Sequence, residues 1–252
     1  MGCRRLVFGL LGVLAGGLAA LGASSAARAQ EPLNVAPGQP GAAAPARPYS
    51  PGLRIPLEEL PAGARERVRY VVEHPTLVSH GPVETFYCQP PFYYWLLDHP
   101  DQAVAAWRGL GAQCTDIQER GAGRFAWQDG QGSEVRWETV FRTGRQRIWY
   151  AEGRVRPGLL LPSVPVRAVV VLNHGEGYDK NGRPAVRHQM HLLLHTDSRA
   201  VSLATRLLGA SAPRLAEQYV GQMQMFFGAL AWYIDQHPDQ AARLLRREEE
   251  RR

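Results

Sequence analysis

Two histidines and a carboxylate flank one sharp turn in this sequence. His174 and Glu176 precede the turn-forming stretch Asp179 to Gly182, and His188 follows it. Imidazole titrates near neutral pH and ligates divalent metals, so two histidines beside a carboxylate suit acid–base work or metal binding. Such chemistry requires the flanking segments to be paired strands with all three side chains on one face. The alternation supports this: Val166, Ala168, Val170 and Leu172 share a face that His174 and Glu176 extend, and Val186, Met190, Leu192 and Leu194 share one with His188. A hairpin turning at Lys180 to Gly182 sets His174 opposite His188. The simpler reading places all three residues at the solvent-exposed end of that hairpin, beside Gly175 and Gly177. A slip of one residue would reverse every facing assignment.

His191 and His195 form an HxxxH spacing that would suit a metal on a helix, but the local pattern is a strand that turns them outward, to a surface role. HExxH, GxSxG and GxxxxGK are all absent, and no Ser or Cys has a recognisable nucleophile setting. No metal and no cofactor is expected. Cys88 and Cys114 would close a loop of about 25 residues if bridged, which an exported location would permit, with two buried thiols as the alternative.

The elements that must position these groups are read from pattern. Leu57 to Val72 is a short helical candidate interrupted by Pro61 and Gly63. Val83 to Gln89 suits a strand, and Phe92 to Asp98 and Asp101 to Leu110 suit two helices divided at His99-Pro100. Six strand candidates follow, at Gln113 to Glu119, Arg124 to Gln128, Glu134 to Arg142, Arg147 to Val155, Pro165 to Glu176 and Ala185 to Thr196. The short turn-like separators between them imply antiparallel pairing. In Glu134 to Arg142 the alternation sends Val135, Trp137, Thr139 and Phe141 to one face. A long amphipathic helix, starting near Ser198 and interrupted around Gly209 to Pro213, runs on to Gln236, with Tyr219, Val220, Met223, Phe226, Phe227, Leu230, Tyr233 and Ile234 at three- and four-residue spacing.

This order is an α+β arrangement: about seven antiparallel strands, two short helices after the first, and a long C-terminal helix. The stretch ETFYCQPPFYYWLLDHPDQAVAAWRGLG at Glu84 to Gly111, with the helix Pro213 to Gln236, resembles the START-like superfamily of Bet v 1 and polyketide-cyclase relatives, the helix-grip fold. The resemblance covers residues 83–236. It implies a curved sheet wrapped on the long helix, with a cavity between them of the kind that holds lipids or other apolar molecules. In such a cavity Trp137, Phe141, Leu172, Met190, Met223, Phe226 and Phe227 are the expected lining, with methionines able to adapt to irregular ligands.

The N-terminus carries an export signature. Arg4 and Arg5 precede the apolar run Leu6 to Gly22, and Ala27-Arg28-Ala29 suits a signal peptidase. Cleavage near Ala29 would place the chain in the periplasm or outside the cell; an uncleaved membrane anchor is the alternative. It would also remove Arg4, Arg5 and Arg28, lowering the net charge from +6 to +3, so nucleic-acid binding is not implied. Residues 30–52 read as a Pro/Ala/Gly-rich flexible spacer, 53–82 as a lead-in with a short helix, and 237–252 as a charged tail.

These observations order three expectations. The first is an exported, non-enzymatic binding protein for a hydrophobic small molecule or lipid. The second is a cyclase- or hydrolase-type enzyme centred on His174, Glu176 and His188. The third is a scaffold of the cell envelope with a protein partner.

Overall fold

The computed structural model describes residues 53–156, 163–196 and 212–239. The export signal, the spacer, the helical start near Ser198 and the tail beyond Asp239 lie outside the described residues. A 3-10 turn at Leu57–Glu59 leads into helix α1, Ala62–Glu73, whose N-cap is Pro61. Strands β1, Leu77–His80, and β2, Glu84–Tyr87, come next, followed by α2, Pro90–Asp98, and α3, Pro100–Gly109. Both helices open on prolines, whose missing N–H costs nothing in a first turn. Then come β3, Ile117–Glu119; β4, Arg124–Gln128; β5, Glu134–Arg142; β6, Gln146–Val155; β7, Val164–Tyr178; β8, Pro184–Thr196; and α4, Ala212–Gln236.

The strands form one open antiparallel sheet in the order β1-β8-β7-β6-β5-β4-β3, with β2 also paired to β8. This is the α+β class expected, with one strand more than the pattern suggests. The additional strand is β1, which falls in the stretch assigned to the lead-in. His80 pairs with His191 and Glu84 with His188, so Gly81, Pro82 and Val83 oppose only Gln189 and Met190. Strands β1 and β2 are therefore one edge strand broken by a bulge.

Both faces of the sheet are covered. The inner face packs against α2, α3 and α4, with Trp127, Trp149, Val170, Leu172 and Met190 meeting Leu96, Leu97, Val220, Phe226 and Leu230. The outer face packs against α1 through Val169, Val171, Ile148 and Leu193, which meet Ala64, Val68 and Val71. Double burial explains the unbroken run Val169 to Leu172 in β7, where polar alternation would otherwise be expected.

The facing of Phe141 is corrected. The β5–β6 register shifts between Thr139 and Phe141, so Thr139 pairs with inner-facing Trp149 but Phe141 pairs with outer-facing Ile148. Val140 is the inserted residue, and Phe141 packs in the outer core rather than toward α4. The disulfide expectation is also corrected: Cys88 and Cys114 are unbridged thiols. Cys88 is wholly buried at the end of β2, while Cys114 lies half-buried in the α3–β3 connection.

Candidate ligand cavity and its polar end

The long helix is held to the sheet by small residues and one polar clamp. A Cβ on Gly228 would come within 3.1 Å of the Phe86 ring and 3.4 Å of His188, so glycine permits close approach there. One turn earlier, Gln224 is fully buried at the bulge between β1 and β2. Its Oε1 accepts from the Met190 backbone N–H at 2.9 Å, and its Nε2 donates to the Pro82 carbonyl at 2.6 Å. These are the backbone groups that the bulge strands, and an unmade bond on either would be costly. Sequence reasoning missed Gln224, because a lone glutamine on an amphipathic helix looks like a surface residue.

Between this helix and the sheet lies a cavity of about 70 Å³. Its walls are predominantly apolar and include three tryptophans, Trp127, Trp137 and Trp149, with Met190, Met223 and Phe227. Trp137, Met223 and Phe227 are half-buried, whereas Trp127, Trp149 and Met190 are buried. The cavity exceeds the space of one or two waters but is smaller than the ~300 Å³ at which drug-sized sites begin. Of the expected lining residues, Trp137, Met190, Met223 and Phe227 line it. Leu172 and Phe226 do not; they are fully packed in the inner core.

Beyond the cavity along the inner face is a buried polar cluster. His174 and His188 pair directly across β7 and β8 and are 8% and 2% exposed, so the reading of a solvent-exposed hairpin end fails for both. Glu176 is exposed, as that reading has it. The turn itself is tied by Asp179, whose Oδ1 accepts from the N–H groups of Asn181 and Arg183, with Gly182 at φ +77.

His188 is held at both ring nitrogens. The Tyr93 hydroxyl lies 2.7 Å from Nδ1, and the Glu84 carboxylate lies 3.1 Å from Nε2. Burial keeps the Tyr93 phenol well above its usual pKa, so it donates to Nδ1, and Nε2–H donates to Glu84. This carboxylate–imidazole–phenol chain engages both ring nitrogens of His188 and ties α2 to β2 and β8.

The other half of the cluster is open. Arg147, on β6, is 2% exposed and sits 2.7 Å from Asp98 at the end of α2. Asp98 also receives a bond from the exposed Arg142 at 3.0 Å. Arg147 Nε and His174 Nδ1 are buried with no hydrogen-bond partner. Burial, reinforced by the positive charge of Arg147, lowers the His174 pKa to about 4, so its imidazole is neutral. The Tyr94 ring lies tilted against the His174 ring, centroids 5.1 Å apart, and burial together with the adjacent Glu176 carboxylate raises its phenol pKa.

On the outer face, His195 receives the Tyr70 hydroxyl at 3.3 Å and bonds the His74 carbonyl at 2.6 Å. His191 faces the same side but is 7% exposed, so it is buried rather than superficial. No group of three or more potential metal ligands occurs among the described residues.

No protein family and no curated protein matches this sequence. Several solved structures are similar to this chain at low identity. A conserved protein from Geobacillus kaustophilus is 10% identical, with 62% of this chain and 95% of that one covered at a TM-score of 0.40. A hypothetical protein from Helicobacter pylori is 13% identical, with 75% and 99% covered at a TM-score of 0.38. The di-domain ARO/CYC protein StfQ from the steffimycin biosynthetic pathway is 12% identical, with 71% and 56% covered at a TM-score of 0.37.

Proposed function

We propose that the chain is an exported, non-enzymatic binding protein that holds a small hydrophobic molecule between its sheet and α4. The observation that carries this reading is the predominantly apolar cavity bounded by Trp127, Trp137, Trp149, Met190, Met223 and Phe227. An apolar void does not retain water well, and unbranched Met side chains at its wall can swing to admit a ligand larger than the closed volume. The envelope location rests on the N-terminal pattern, and a protein partner there is a separate matter on which the cavity does not bear.

Native mass spectrometry of the protein purified from its own host tests the reading. An apolar molecule should travel with the wild-type protein and be lost from Ala151→Phe, which puts a phenyl ring into the cavity from the buried Ala151. A wild-type spectrum with no added mass, together with no uptake of added hydrophobic compounds, would end the proposal.

A further inference from the structure

We infer that the ligand held in this cavity ends in an uncharged oxygen acceptor, a ketone, aldehyde or ester carbonyl, which is read by Arg147 and His174. The inference rests on the binding role proposed above and specifies the chemical class of the ligand.

The polar cluster adjoins the cavity along three elements. On β6 the wall residue Trp149 is followed on the same face by Arg147, and on β8 Met190 by His188; on α2 the wall residue Leu97 is next in the chain to Asp98, the partner of Arg147. Same-face neighbours on a strand are about 7 Å apart, so a ligand whose body fills the cavity reaches the cluster with a two- or three-atom tail. Arg147 Nε is a donor with nothing to donate to, and a guanidinium has no acceptor function, so the missing partner must offer a lone pair. His174 is neutral and has Nδ1 without a partner beside it. A buried donor left unmatched is costly, and a ligand oxygen there would remove that cost.

The local charge selects the kind of oxygen. Arg147 is already matched by Asp98, and the second cation, Arg142, is exposed. Glu84 and Glu176 add two further carboxylates beside His188 and Tyr94. A ligand carboxylate would enter a site already supplied with negative charge. A carbonyl takes the free N–H and adds no charge.

The test compares three probes sharing one phenyl ring: butylbenzene, 4-phenyl-2-butanone and 3-phenylpropanoate, with affinities measured by isothermal titration calorimetry. The ketone should bind about 10-fold more tightly than the hydrocarbon, the scale of one buried hydrogen bond to a charged donor, and the carboxylate should bind more weakly than the ketone. In Arg147→Leu the ketone should fall to the level of the hydrocarbon, whose own affinity stays within about twofold. The wild-type series is decisive even if that variant does not fold. Equal binding of ketone and hydrocarbon, or tightest binding of the carboxylate, overturns the head-group inference and leaves the cavity reading standing. Failure of all three probes to bind overturns both.

Discussion

Replacing Gln224 with leucine removes the clamp that joins α4 to the broken edge strand. Leucine has similar bulk, so the substitution leaves little void, and the change is one of hydrogen bonding. Two backbone groups lose their partners: the buried Met190 N–H, now 2.9 Å from Oε1, and the part-buried Pro82 carbonyl, now 2.6 Å from Nε2. The orphaned buried N–H costs about 1–3 kcal/mol and the carbonyl of exposed Pro82, which water can reach, adds less, so the variant should lose about 1–4 kcal/mol of folding free energy. Urea denaturation measures the loss as a fall in midpoint at unchanged slope. Amide hydrogen exchange adds a local readout, because the Met190 N–H should exchange faster. A loss under about 1 kcal/mol with Met190 still protected would show that water or a backbone shift replaces the clamp, and the account of how α4 is positioned would be wrong.

Other consequences are open to measurement. The folded pKa of His174, about 4, lies below its ordinary 6.5, so on acidification the unfolded chain takes up a proton first. Stability should therefore fall by up to about 3 kcal/mol as pH drops from 6.5 to 4, and His191, shifted in the same direction, adds to the slope. Urea midpoints against pH should flatten in His174→Leu; an unchanged slope would contradict the burial assigned to this ring. Cys88, whose thiol pKa burial raises to about 12, should resist iodoacetamide in the native protein at pH 8 while Cys114 is modified first, as peptide mass spectrometry can show. Gly153→Ala should prevent folding, because a Cβ there would lie 2.1 Å from the Glu134 carbonyl oxygen, and soluble expression with native circular dichroism would refute this.

Much of the site could be read from strand parity alone. The alternation through Val170, Leu172 and His174, and through His188, Met190 and Leu192, places both histidines inward and opposite each other, and the register agrees. Their burial was not legible, because it is supplied by α2, whose Tyr93 and Tyr94 reach them from a distant part of the chain. Phe141 breaks the same rule for a local reason: the extra residue Val140 resets the alternation, and nothing in VRWETVFR signals a bulge. Strand β1 escaped notice because Gly81 and Pro82 read as a boundary, whereas here they form a bulge that Gln224 repairs. Arg147 opens the strand candidate Arg147 to Val155, and its burial beside Asp98, the last residue of the helix candidate Phe92 to Asp98, joins two segments far apart in sequence.

The central claim is that an apolar molecule enters between the sheet and α4. Methionine methyl NMR tests it most directly, since Met190 and Met223 line the cavity while Met225, 54% exposed on the same helix, serves as an internal control. Titration with 4-phenyl-2-butanone should shift the Met190 and Met223 methyl signals saturably and leave Met225 in place. Shifts confined to Met225, or no shift at any of the three, would contradict the account.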